Sequence, residues 1–142
     1  MYSAYPATFT LDGDTYLVAF PDVPEAHTFF ENTADANSIA AEALAAALSF
    51  YVGGGEPLPV PSKPKRGQTI VYLAAGTVAK LALYQAMSEN NITQVELARR
   101  LGCQRQHVAR IVDPAHNTKF EVLEAALAAV GKRAELRIQD AA

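Results

Sequence analysis

Residues 92–112, ITQVELARRLGCQRQHVARIV, constrain the fold of this chain more than any other stretch. Thr93 can cap a helix, and Glu96, three residues later, is spaced to complete a capping box with it. Apolar residues then recur at helical spacing: Val95, Leu97, Ala98 and Leu101. Gly102 stands where the helix must end and the backbone needs freedom to turn. The pattern predicts two short helices joined by a tight turn.

The second helix of this pair has two chemically different faces. One is apolar and is formed by Val108, Ile111 and Val112. The other is polar and is formed by Arg105, Gln106, His107 and Arg110. Arg and Gln are the side chains that pair bidentately with guanine and adenine edges in the DNA major groove. This face therefore predicts base reading by these four residues, and the alternative is a helical hairpin that only packs a core.

The same stretch resembles the helix-turn-helix of phage-repressor-like (XRE/Cro type) DNA-binding proteins. The residues that carry the resemblance are Thr93, Gln94, Glu96, Leu97, Ala98, Leu101, Gly102, Val108, Arg110 and Ile111. Gln104 departs from it, because that family often has a capping Ser or Thr there. The resemblance implies that the second helix reads DNA bases. Phosphate contacts are then expected from Gln94 with the amides of its helix N-terminus, and from Asn117 and Lys119.

Length and charge suggest two parts with different partners. The chain has 142 residues, enough for one domain or two small ones. Residues 1–74 hold three basic and eight acidic groups and residues 75–142 hold nine and seven, so the halves carry −5 and +2. An acidic first half favours a basic protein partner, and the weakly basic second half must cluster its charges to bind phosphates. Plain solvation of a globular surface remains the alternative.

Composition also indicates where the protein works. No apolar run approaches the roughly 18 residues that a membrane span needs. The first residues, MYSAYPATFT, lack the basic start and apolar core of a secretory signal. Cys103 is the single cysteine, so no intramolecular disulfide can form. These features predict a cytoplasmic protein with no membrane partner.

The first 74 residues divide into four predicted elements, which are strand 2–11, strand 15–20, helix 32–51 and strand 69–74. Asp12-Gly13-Asp14 predicts the hairpin turn between the strands, and residues 21–27 form a proline loop. Thr33 or Asp35 can cap the helix. Four prolines between residues 56 and 66 predict an extended segment before the last strand. The order is β-β-α-β, which together with the helices that follow predicts an α+β protein.

This half has a resemblance of its own, to the HicB antitoxin family. It rests on Phe20, Pro21, Asp22, Val23, Pro24, Glu25 and Ala26, and on Ala36, Ala40, Ala43 and Leu44 in the helix. The resemblance implies a partial ribonuclease H-like domain over 1–74 that blocks a HicA-like toxin, a small basic ribonuclease that cleaves messenger RNA. It also implies that a domain over 75–142 represses the operon by binding its operator. Phe20, Asp22 and Glu25 are the candidate toxin contacts.

The second half is predicted to be helical up to its end. Helices 77–90 and 120–130 flank the helix pair, and residues 133–139 alternate like a strand, with Leu136 and Ile138 on one side. A lone strand has an unpaired edge, so pairing with a second copy would build a two-fold dimer suited to near-palindromic DNA. The alternative is that the strand folds back on its own domain. Whether dimers pair into tetramers stays open.

Enzymatic chemistry finds little support in the residues. A ribonuclease H-like metal site needs carboxylates on the first strand, and residues 2–11 contain none. The three histidines are scattered and Cys103 has no cysteine partner, so no zinc ligand set is evident. We therefore predict no catalytic residues, no metal and no cofactor. Two rival functions remain: a stand-alone transcriptional regulator whose first domain binds a ligand or dimerises, and a ribonuclease H-like enzyme tethered to DNA.

Overall fold

The computed structural model describes residues 2–31 and 35–141. Within them it contains one antiparallel sheet and five α-helices, which confirms the α+β class. The strands are β1 (Ala4–Asp12), β2 (Thr15–Ala19), β3 (His27–Glu31) and β4 (Thr69–Tyr72). The helices are α1 (Ala36–Gly53), α2 (Ala75–Glu89), α3 (Gln94–Leu101), α4 (Arg105–Val112) and α5 (Phe120–Ala129).

The sheet has the order β3-β2-β1-β4, and every neighbouring pair is antiparallel. Strand β1 is long enough to pair with β2 along one half and with β4 along the other. The predicted hairpin forms where Asp12 lies opposite Thr15, and Gly13 in the turn has a φ of 65°. A positive φ costs glycine little, so the turn needs this residue.

Strand β3 corrects the predicted β-β-α-β order, which becomes β-β-β-α-β. Residues 27–31, HTFFE, alternate in burial: Phe30 is buried while Phe29 faces outward, opposite Leu17 of β2. Five residues between a proline loop and a helix were too short a run to be distinguished from a connection. Helix α1 then begins later than predicted, with Asp35 accepting a hydrogen bond from the Ser38 N–H. The other proposed cap, Thr33, lies outside the described residues.

Helix α1 covers the inner face of the sheet. Its buried residues are Ala40, Leu44, Ala45, Ala47, Leu48 and Val52. The ring of Phe30 packs edge-on against Phe9 at 5.8 Å and stacks on Tyr16 at 5.4 Å between ring centroids. The proline-rich segment lies along this core, because the Tyr5 hydroxyl donates to the Pro59 carbonyl at 2.7 Å. Burial raises the pKa of Tyr5, so this hydroxyl stays protonated and remains a donor.

Helices α2, α3, α4 and α5 all contribute to an apolar core. Its fully buried large residues are Leu81, Leu83, Leu97, Ile111 and Leu123.

Residues 132–141 follow α5 without regular secondary structure, so the strand predicted over 133–139 is not formed in the single chain. A strand needs a neighbour for its backbone hydrogen bonds, and none of the described strands pairs with this segment. Leu136 and Ile138 are accordingly 68% and 82% exposed.

The packing of α1 on the sheet predicts where the stability of the first half resides. Leu44→Ala removes a side chain that is fully buried, so we expect it to lower the free energy of unfolding by about 2–5 kcal/mol. Phe50→Ala in the same helix removes a side chain that is 78% exposed and should change it by less than about 0.5 kcal/mol. Urea unfolding followed by circular dichroism measures both, and equal effects would contradict this packing.

Candidate nucleic-acid interface

Helix α3 begins and ends where the sequence predicted. Thr93 accepts a hydrogen bond from the Glu96 N–H at 3.1 Å, and Gly102 ends the helix in the left-handed region with φ 68°. Leu97 and Ala98 face the core, whereas Val95, which was predicted to share that face, is 65% exposed. The correction follows from geometry: residue 95 is two positions from residue 97, which on a helix points to a different side.

Glu96 does not complete the predicted capping box. Its carboxylate instead accepts from Arg99 at 2.6 Å and from Arg100 at 3.0 Å. These hydrogen bonds, with that from Arg99 the stronger cause, lower the pKa of Glu96 to about 2. Arg100 also donates to the Ala129 carbonyl at 2.8 Å, which joins α3 to the end of α5. A charged partner one turn along the helix has displaced the backbone N–H as the partner of this carboxylate.

Helix α4 presents the two faces that were predicted. Val108, Ile111 and Val112 are at most 2% exposed. The polar residues lie together on the outer side of the helix and are all exposed: Arg105, Gln106, His107 and Arg110. Gln104 at the helix start does not cap with its side chain, and Asp113 at the end is extended. The helix is therefore held chiefly by its buried side and by contacts from other elements.

The candidate phosphate-binding residues flank α4 at both ends. Gln94, the first residue of α3, accepts from Arg105 at 3.2 Å, so the starts of α3 and α4 are adjacent. Asn117 and Lys119 are exposed in the segment 113–119 that follows α4. The structure thus brings Gln94 next to Arg105, whereas Asn117 lines a groove against α1 together with Asp35 and Glu42.

Lys80 of α2 lies at the C-terminal end of α4 and was not identified from the sequence. It is 2% exposed, and its ammonium donates to the carbonyls of Arg110 and Ile111 at 2.9 Å each and to the Thr118 hydroxyl at 2.6 Å. Burial lowers the pKa of Lys80 to about 8, while the carboxylate of Asp113 acts in the opposite direction. At pH 7 the protonated form therefore predominates.

Of the three candidate toxin-binding residues, one is buried in the core and the other two are hydrogen-bonded carboxylates. Phe20 is 1% exposed, so its side chain belongs to the core and has no surface to offer a partner. Asp22 accepts from the N–H and the hydroxyl of Ser62 at 2.9 Å, which fastens the proline-rich segment. Glu25 is exposed and accepts from the Tyr51 hydroxyl at 2.8 Å. This hydrogen bond raises the pKa of Tyr51.

The outer face of the sheet carries an apolar pair that sequence reasoning missed. Leu17 and Phe29 lie opposite each other on β2 and β3 and are 47% and 69% exposed. By strand alternation Asp12 and Glu31 lie on the same face, one row further along. Exposed apolar surface with carboxylates at one end is compatible with a protein-binding site. The alternation of HTFFE could have indicated this apolar face, but residues 27–31 were not predicted to be a strand.

Across residues 2–31 and 35–141, no three His, Cys, Asp or Glu side chains are grouped closely enough to hold a metal ion. No helix in the same ranges is both long and apolar enough to cross a membrane.

Comparisons with known proteins identify the family. A family model described as HicB-like antitoxin of bacterial toxin–antitoxin system matches residues 4–82. Antitoxin HicB 2 of Photorhabdus laumondii subsp. laumondii is 37% identical over 132 residues, which cover 93% of this chain and 94% of that protein. The chain belongs to the HicB antitoxin family. The resemblance seen in the first half of the sequence is thereby confirmed.

Other HicB proteins match over similar lengths. Antitoxin HicB of Escherichia coli strain K12 is 35% identical over 133 residues, or 93% of this chain and 96% of that protein. Antitoxin HicB of Pseudomonas fluorescens strain Pf0-1 is 35% identical over 121 residues, or 84% and 83%. Matches of this extent include the helices after residue 82. Membership of an antitoxin family implies a toxin as partner and favours a regulatory protein over an enzyme.

The carboxylate of Glu96 yields a pH prediction for this HicB protein. Because its pKa is lowered, the group stabilises the fold fully above its ordinary pKa of 4.5, and the contribution is lost as the pH falls toward about 2. An NMR titration of the Glu96 side-chain carboxyl should show a midpoint near 2, and the double variant Arg99→Ala/Arg100→Ala should raise it toward 4.5. Exposed Glu124 is the control, and a Glu96 midpoint unchanged by the double variant would contradict the assigned cause.

Proposed function

We propose that this HicB protein is a cytoplasmic antitoxin with two binding functions. Residues 1–74 bind and neutralise a HicA-like toxin, a small basic ribonuclease that cleaves messenger RNA. Residues 75–142 bind the operator of the protein's own operon and repress its transcription. The observation that carries the DNA-binding part is the outer face of α4, where four exposed side chains suited to base reading stand on a buried apolar side.

In this proposal α3 and α4 act as a helix-turn-helix. Arg105, Gln106 and Arg110 contact bases, with His107 as their neighbour. Gln94 and the amides at the start of α3 contact phosphate, as do Asn117 and Lys119. The hydrogen bond between Gln94 and Arg105 supports this division, since it joins a phosphate-binding residue to a base-reading one. Their proximity lets one docking geometry satisfy both kinds of contact.

The proposed DNA complex requires a two-fold dimer. Two copies of α4 would enter successive major grooves about 34 Å apart on a near-palindromic operator. The exposed Leu136 and Ile138 in the segment after α5 support a role for this segment in pairing, because its apolar side chains and its backbone are available to a strand from a second copy. The dimer is thus proposed to form through residues 133–139.

The DNA-binding proposal predicts a specific loss on truncation of one side chain. In fluorescence anisotropy with labelled DNA from upstream of its own operon, Arg105→Ala should weaken specific binding by about 1–3 kcal/mol per site. Arg66→Ala removes the same charge from an exposed position in the proline-rich segment and is the matched control. A scrambled duplex at equal salt measures non-specific binding. Equal effects of the two variants on operator binding would reject base reading by Arg105.

The toxin-binding part is supported by charge and by exposed surface. Residues 1–74 carry a net charge of −5, which complements a basic partner. Asp22 and Glu25 remain the proposed contacts of the proline loop, since the burial of Phe20 removes it from the set. Leu17 and Phe29, with Asp12 and Glu31 at one end of the same sheet face, extend the proposed surface to a second patch. Coverage of the toxin's RNA-binding surface and occlusion of its catalytic residue are both compatible with these contacts.

Glu25 permits a test in which charge changes while the fold does not. Glu25→Gln removes the negative charge and keeps an oxygen that accepts from Tyr51, so the fold should be unaffected. Titration calorimetry with the toxin encoded beside this protein should show weaker binding, by about tenfold. Glu124→Gln, at an exposed position of α5, is the matched control and should bind normally. Unchanged affinity of Glu25→Gln would exclude this carboxylate from the toxin interface.

A further inference from the structure

Lys80 is the one charged side chain that is buried among the residues the structure describes. A buried ammonium is unfavourable unless its donors are all satisfied. Here the three N–H donors have three acceptors at 2.6–2.9 Å, two of them backbone carbonyls and the third the Thr118 hydroxyl. The arrangement saturates the hydrogen-bonding capacity of the group. A saturated site of this kind holds its acceptors in fixed positions.

The two carbonyls belong to the last turn of α4. The final carbonyls of a helix lack partners within the helix and carry a partial negative charge, so a buried cation suits them. Helix α4 has only eight residues, no side-chain cap from Gln104 and an extended Asp113 in place of a left-handed cap. Lys80 therefore caps the end of α4 from another helix. One of the capped carbonyls belongs to Arg110, whose side chain lies on the exposed face.

The third acceptor extends this hold beyond the helix. Thr118 lies between Asn117 and Lys119, so the same ammonium fixes the backbone segment that carries both of these residues. One buried charge thus sets the position of α4 relative to the segment 113–119. These are the two elements whose exposed side chains form most of the proposed DNA-binding surface.

We infer that Lys80 is a positioning residue for DNA reading, an inference that rests on the proposed DNA-binding function. Lys80 does not touch DNA, and it acts by holding α4 and segment 113–119 in one fixed arrangement. Bidentate base contacts need accurate placement, whereas attraction to phosphates tolerates displacement. Loss of Lys80 therefore weakens binding to the operator more than binding to unrelated DNA.

The test measures the ratio of affinities for operator and scrambled duplexes with full-length protein at one salt concentration. Lys80→Met keeps the apolar stem and removes all three donors, and we expect the ratio to fall by about tenfold or more. Lys63→Met removes a lysine that is exposed in the proline-rich segment and should leave the ratio unchanged. Thr118→Val should give a smaller loss, and Thr118→Ser, which restores the hydroxyl, should return the ratio to that of the unaltered protein.

A folded Lys80→Met protein with the unaltered ratio would overturn the inference. Where Lys80→Met does not fold, Thr118→Val decides, and an unchanged ratio for that variant would also overturn it. Absence of any operator preference in the unaltered protein would instead reject the proposed function. Amide hydrogen exchange then tests Lys80 without DNA: Lys80→Met, or Thr118→Val in its place, should accelerate exchange over residues 109–119 and leave the sheet unchanged. If the exchange rates over residues 109–119 are the same in the variant and in the unaltered protein, the inference is overturned.

Discussion

The exposed face of α4 can form only because the apolar face of the same helix is buried. An isolated helix of eight residues is not stable in water, because nucleation is unfavourable and few hydrogen bonds follow it. Burial of Val108, Ile111 and Val112 is therefore the main reason that this segment is helical, and α4 packs on α2, α3 and α5. The side chains on the exposed face contribute far less to helix formation, because they bury no apolar surface. Packing does not fix their residue types, so those types bear on the proposed recognition of DNA.

Features set by local chemistry could be predicted from the sequence. The Thr93 cap, the left-handed Gly102 and the two-faced α4 all follow from residues within a few positions of one another. The capping box was only half right, since Glu96 has two arginines within one helical turn that compete for its carboxylate. Local rules name the available partners of a side chain. They do not rank a backbone N–H against a guanidinium.

Features set by distant contacts could not be predicted in the same way. Lys80 lies in a helix beside Leu81 and Leu83, and a lysine at such a position is ordinarily solvated. Only the arrangement of α2 against α4 supplies the carbonyls that make its burial tolerable. Phe20 shows the converse: a residue in a family motif was assigned to the surface, while its apolar side chain fills the core. The irregular segment 132–141 belongs to the same class, because strand formation depends on a neighbour.

The two halves assigned different partners are joined by more than the chain. Strand β4 ends at Tyr72 and α2 begins at Ala75, which leaves no flexible linker between them. The Ser49 hydroxyl of α1 donates to Asp113 at 2.7 Å, directly after α4, and the Tyr84 hydroxyl of α2 donates to the Glu56 carbonyl at 2.7 Å. Asp113 also accepts from the Ala115 N–H, so the contact from α1 reaches the segment held by Lys80. If the proposed toxin displaces α1, these hydrogen bonds connect that displacement to the segment that follows α4. Linkage of binding is reciprocal, so the factor by which the proposed toxin changes DNA affinity is the factor by which DNA changes toxin affinity.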